Sequence, residues 1–178
     1  MKTVQLHELT FELFIEQNAI HQEIQRLATS VSKDYVGKCP IFISVLNGAF
    51  RFTSTFMDYY QGNCEISFIR VKSYEGTSST GKVKELLGLD KSIENRDIIL
   101  MEDIVDTGET IEFLWNTLQT FRPASIRVAS LFFKPDIYGK KIPVDYIGQS
   151  IPNKFIVGFG LDYNELGRNL NAIYQKKE

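Results

Sequence analysis

Apolar residues Leu13, Ile20, Ile24, Leu27 and Val31 recur at helical spacing and predict an amphipathic helix over roughly 11–33. The pattern then changes period. CPIFISVL (39–46) is a short, continuous, β-branched run without polar alternation, as expected of a parallel strand buried on both faces. After NGAF, residues 50–60 read as a helix and CEISFIRVK (64–72) as a strand. DIILM (97–101) predicts a third strand, Ile111, Leu114, Trp115 and Leu118 stripe the helix after it, and SIRVASLFF (125–133) predicts a fourth strand. VDYIG (144–148) and FIVGFG (155–160) read as short strands, and NELGRNLNAIYQ as a late segment at a sheet edge. Strands alternating with helices indicate an α/β domain, a mostly parallel twisted sheet flanked by helices. Ligands of such sheets sit outside the carboxyl ends of the strands. That rule selects Asn47-Gly48, Glu102–Thr110 and Lys134.

The loop SYEGTSSTGKVKE (73–85) is polar and aperiodic, and a loop of this length in a compact domain is either functional or disordered. A chain of 178 residues suits one domain, 1–178, with a substantial core. The formal net charge of −2 argues against nucleic acid as the main partner. No apolar stretch reaches the roughly 18 residues of a membrane span, and the N-terminus lacks a secretory core, so a cytoplasmic protein is expected. Cys39 and Cys64 are widely separated and read as free thiols. His7 and His21 lack nearby ligand partners and read as surface residues of the first helix region, not a zinc site.

ILMEDIVDTGET (99–110) carries the chemistry. Capping of the following helix accounts for Asp106 and Glu109, but not for Glu102 and Asp103. The calcium-loop spacing D-x-D/N-x-D/N-G is absent, as are a Walker-type GxxxxGK(S/T) and a Rossmann GxGxxG. A division of labour accounts for all of them. Amides of Thr107, Gly108, Glu109 and Thr110 at a helix N-terminus, with the two Thr hydroxyls, can hold a phosphate without a cation. Glu102 and Asp103 can accept from paired ribose hydroxyls. Asp106 can face a group that gains positive charge or loses a proton.

IILMEDIVDTGET resembles the phosphoribosyl-pyrophosphate (PRPP) motif of type I phosphoribosyltransferases, and the likeness extends over nearly the whole chain to the hypoxanthine-guanine phosphoribosyltransferases. The resemblance implies the type I fold with a small hood subdomain. It implies Mg²⁺-dependent transfer of 5-phosphoribosyl from PRPP to N9 of hypoxanthine or guanine, giving IMP or GMP and pyrophosphate, by a homodimer or homotetramer. The transition state would be oxocarbenium-like. A carboxylate about 5 Å from such a centre is worth roughly 3 kcal/mol at an effective dielectric of 20, and a lysine there would oppose it.

Residue by residue, VLNGAF (45–50) is similar to the family's pyrophosphate loop, with a cis peptide implied between Leu46 and Asn47, and Gly48 beside it. The family's Lys or Arg is Asn47 here, so the loop lacks that cation; read alone, NGAF is a strand-to-helix turn. VKSYEGTSSTGKV resembles the mobile hood, opening with Ser73 and Tyr74, which would exclude water from a reactive cation; a plain surface loop is the other reading. Glu102, Asp103, Ile104, Asp106 and Thr107–Thr110 would bind PRPP or nucleotide. Lys134, after VASLFF, would donate to the purine 6-oxygen, where an ordinary strand-end lysine is idle. The segment 134–160 resembles the base pocket: Tyr146 would stack on the purine, with Asp145 beside it and the Ile147 backbone at the 2-position. Glu102, Asp103 and Asn153 would face magnesium, Asn153 standing where the family often has Asp. Asp106 and Lys134 are the catalytic candidates. The alternatives are a nucleotide- or RNA-binding regulator of the same fold, and a sister enzyme preferring xanthine or another base.

Overall fold

The computed structural model describes residues 2–74 and 83–177. Five parallel strands form its centre: β3 (Ile41–Leu46), β4 (Glu65–Tyr74), β6 (Asp97–Val105), β7 (Ser125–Phe133) and β8 (Tyr146–Ser150). With β5 (Val83–Leu87), antiparallel to β4, they make a six-stranded sheet in the order β5-β4-β3-β6-β7-β8. The continuous apolar runs are buried on both faces, as expected. Phe42, Ile99 and Met101 pack with α1 (Gln17–Asp34) and α2 (Phe50–Met57). Ile41, Ile43, Val45, Ile98 and Leu100 pack with Ile111, Leu114 and Leu118 of α3 (Glu109–Gln119). The alternation of side chains along each strand thus supplies two cores from one sheet.

A second, four-stranded antiparallel sheet has the order β1-β2-β10-β9, from β1 (Thr3–Leu6), β2 (Leu9–Ile15), β9 (Ile156–Val157) and β10 (Ile173–Lys176). This corrects the expected helix over 11–33. Residues 9–15 are a strand, and the helix begins at Gln17 after an extended Glu16. Leu13 fell into helical register with Ile20 by coincidence; Phe11 and Ile15 are what LTFELFI buries. His7 lies in the β1–β2 turn with a φ of 48°, outside any helix, whereas His21 is in α1. The C-terminal strand is interior to its sheet, between β2 and β9, and not at an edge.

Three further boundaries differ. β6 continues past Met101 to Val105, so Glu102 and Asp103 are strand residues. The expected strand over 155–160 is two residues long, because Gly158 and Gly160 at φ 106° and 108° turn the chain away. The loop expected over 73–85 is entered and left by a hairpin, Ser73↔Lys84 and Tyr74↔Val83; the lid reading itself rests on residues 75–82, outside those described. Both cysteines are unpaired. Among the described residues no helix is long and apolar enough to cross a membrane.

Candidate active site

The carboxyl ends of β3, β6, β7 and β8 bring four loops together. Lys134 N–H donates to Val105 O (3.0 Å) and Ile151 N–H to Phe133 O (2.8 Å), which fixes residue 134 against residues 105–106 and brings residues 151–153 alongside. The Lys134 side chain is buried, not idle on the surface. Its Nζ donates to Asp106 Oδ2 at 2.8 Å and to Asn153 Oδ1 at 3.3 Å. Asp106 Oδ1 is buried and has no partner among the described residues, an acceptor left open beside a fixed ammonium.

Beyond Asp106 the chain turns through Gly108, at φ 83°, into α3, whose first residue is Glu109. Residues Glu102 to Ile111 line a cleft of about 290 Å³. The helix start and its first backbone amides are therefore presented to the same space as the carboxylates. That arrangement is suited to an anionic tail at one end of a ligand and hydroxyls at the other.

Glu102 and Asp103 are buried, and this governs their charge. Burial, with the neighbouring Asp103 charge second, holds the Glu102 carboxyl well above the ordinary value. Burial pushes Asp103 up to about 6, partly offset by the Ile104 amide, which donates to Oδ1 at 2.9 Å, and by Arg168. Asp103 Oδ2 lies so close to Gly48 that a Cβ there would be 1.8 Å away. The peptide Leu46–Asn47 is cis. In turn a Cβ on Gly160 would be 2.1 Å from Gly48 O. Two glycines thus let the 46–48 backbone touch both the Asp103 carboxylate and the backbone of the turn at 158–160.

The chain that carries this geometry, a cis-peptide loop, two buried acids and a helix-start loop on one sheet edge, is similar in sequence and fold to known proteins. The family model described as "Phosphoribosyl transferase domain" matches residues 15–164. The chain belongs to the phosphoribosyltransferase family. It is similar to the hypoxanthine-guanine phosphoribosyltransferases of Streptococcus pyogenes and Streptococcus mutans, each 42% identical; the first alignment covers 94% of this chain and 93% of the relative, the second 93% and 92%. The crystal structure of a hypoxanthine phosphoribosyltransferase from Staphylococcus aureus superposes with a TM-score of 0.83 at 35% identity, over 93% of this chain and 91% of that one.

The phosphoribosyltransferase fold does not bring every expected residue to the site. Tyr146, expected to stack on a base, is the first residue of β8, opposite Ala129, whereas Lys134 follows the Phe133↔Ser150 end. Four residues at about 3.3 Å each separate those ends by roughly 13 Å. The Tyr146 ring is in the core, its hydroxyl donating to Asp34 Oδ2 (2.7 Å) and accepting from Arg127 Nη1 (2.9 Å); burial and the Asp34 contact push that hydroxyl up. Asp145 Oδ2 accepts from Val128 N–H (2.8 Å) and the Ile147 carbonyl from Arg26 (2.7 Å). These three hold the amino end of β8 in place. Asn153, expected near a metal, gives its amide oxygen to Lys134, so its neighbour is an ammonium.

Phe155, Asp162 and Arg168 lie further along the same segment. Phe155, two residues past Asn153, is 47% exposed and lines, with Asn153, Lys154 and Gln175, a groove of about 480 Å³. Arg168 pairs with Asp162 at 2.8 Å and donates to Gly160 O at 3.0 Å, while its buried Nε has no partner among the described residues. Asp162 and Arg168 both act electrostatically on Asp103. The signal for them was the polar cluster LDYNELGR directly after a glycine-flanked aromatic, a pattern with no local periodicity to mark it.

Proposed function

We propose that this phosphoribosyltransferase moves the 5-phosphoribosyl group of PRPP to N9 of a 6-oxopurine, hypoxanthine or guanine, releasing pyrophosphate and forming IMP or GMP. The observation that carries this reading is the Lys134–Asp106 pair, a donor and an acceptor 2.8 Å apart at the head of the phosphate loop. The N7 and O6 atoms of an oxopurine lie side by side on one edge. Lys134 would donate to O6 while the half-exposed Asp106 carboxylate accepts the N7 proton. As N9 bonds to C1 of the sugar, the C1–O bond breaks and its electron pair leaves with pyrophosphate. Amides of Thr107–Thr110 hold the 5′-phosphate, and Glu102 and Asp103 hold the ribose hydroxyls and steady the positive charge that grows on the sugar. The face of Phe155, not Tyr146, is the aromatic surface available to a base on this side. Arg168, which donates to Gly160 O and acts electrostatically on Asp103, would supply a cation on the side of the Leu46–Gly48 loop, where Asn47 supplies none.

The donor set fits magnesium. Glu102 and Asp103 offer hard oxygens, and among the described residues no cluster of three or more His, Cys, Asp and Glu could hold a metal. A bound Mg²⁺ would therefore share its coordination with substrate oxygens, and would supply charge neutralisation at the diphosphate. A homodimer or homotetramer in the reducing cytoplasm suits the family and the two free thiols. The test mixes protein, PRPP, Mg²⁺ and each of hypoxanthine, guanine, xanthine and adenine. Pyrophosphate and the matching nucleotide should appear with hypoxanthine or guanine; no turnover, or adenine as the better base, would overturn the reading.

A further inference from the structure

The phosphate loop contains no lysine, and α3 opens with two acids, Glu109 and Glu112. Acids in a first turn complement the helix dipole but oppose a phosphate dianion at the same amides. The segment after Lys134 answers this conflict. It makes one short 3₁₀ turn, Pro135–Ile137, and then crosses the loop. A Cβ on Gly108 would meet Tyr138 Cε2 at 2.4 Å and Lys140 Cγ at 2.7 Å, so both side chains lie directly on the loop backbone. Tyr138 is fixed there, its hydroxyl donating to Ile142 O (2.5 Å) and its ring edge-on to Phe133 with centroids 5.2 Å apart. Lys140 Nζ donates to Glu112 Oε2 at 2.7 Å, and Glu109 acts on the same ammonium.

We infer that Lys140, carried across Gly108 by Tyr138, is a positioning residue for the 5′-phosphate: it neutralises Glu109 and Glu112 and so lets the cation-free loop accept a dianion. The inference rests on the phosphate-loop reading above. It makes the strap a determinant of phosphate recognition, not of base choice. Binding of GMP and of guanosine to the full-length protein separates the two. Wild type should prefer GMP. Lys140→Met should weaken GMP by about three- to tenfold, the scale of a partly exposed charge contact, and leave guanosine unchanged. Lys140→Arg should restore the preference, and the double variant Glu112→Gln/Lys140→Met should recover most of it. Wild type that does not distinguish GMP from guanosine would sink the loop reading and this inference together. A normal GMP preference in Lys140→Met sinks the inference alone. Equal loss of GMP and guanosine, without rescue by the double variant, would mark Lys140 as merely structural and overturn it as well.

Discussion

Asp103→Asn should make the metal-free protein more stable while it removes activity. The side chain is buried, and its carboxyl is raised from 3.8 to about 6. A shift of about two units at 1.36 kcal/mol each corresponds to a cost of about 3 kcal/mol for keeping that charge in the folded state. The folded protein binds the proton more tightly than the unfolded chain, so the cost is absent below the unfolded value of 3.8. It grows as pH rises through the interval and is complete above about 6. Asparagine has the same shape, keeps an oxygen for the Ile104 amide, and adds no atom toward Gly48. At pH 7.5 the variant should gain up to about 3 kcal/mol, or roughly 6–12 °C in Tm for a domain of this size. At pH 4 the two proteins should melt together. Thermal melts from pH 4 to 8 in chelator, paired with turnover assays, read both effects. A Tm difference that does not change with pH, or a variant less stable than wild type at pH 7.5, would show that the buried charge is not what the site endures for its chemistry.

Lys134→Gln should narrow the preference for 6-oxo over 6-amino purines, measured as a ratio of kcat/KM, by at least about tenfold; an unchanged ratio would remove Lys134 from base selection. Phe155→Ala should raise KM for guanine by the roughly 1–3 kcal/mol of a base–aromatic stack. Tyr146→Phe should instead cost about 1–2 kcal/mol of stability through Asp34 and Arg127, at constant KM; the opposite pattern would restore Tyr146 to the pocket. Gly160→Ala, with its Cβ 2.1 Å from Gly48 O at a φ of 108°, should cost at least about 1–2 kcal/mol and raise KM for PRPP more than for the base. Denaturation curves and steady-state kinetics check it.

The parts of this molecule that were legible in the sequence are those whose cause is local. β3, β6 and β7 bury both faces, so a bare apolar run announces them, and residues 102–110 hold strand end, acids, turn and helix start in one stretch. β2 was not legible because one of its two partners, β10, lies some 160 residues away, and nothing near Leu13 distinguishes a strand from one more helical turn. Tyr146 was misplaced for a related reason. Composition marks both DYIG and KFIV as aromatic next to β-branched residues, and only the register of β8 on β7 decides which ring reaches the carboxyl end. Asp162, Arg168 and Lys140 meet the motif only through the turn after β9 and the strap over Gly108, contacts that no spacing encodes.

In this site neutral amides would grip a phosphate while acids at a sheet edge steady the sugar next to it. A crystal structure of the protein with bound GMP tests it directly. The phosphate should lie on the amides of residues 107–110, the ribose hydroxyls within reach of Glu102 and Asp103, and the purine 6-oxygen at Lys134 Nζ. A ribose located away from residues 102–106 would contradict it.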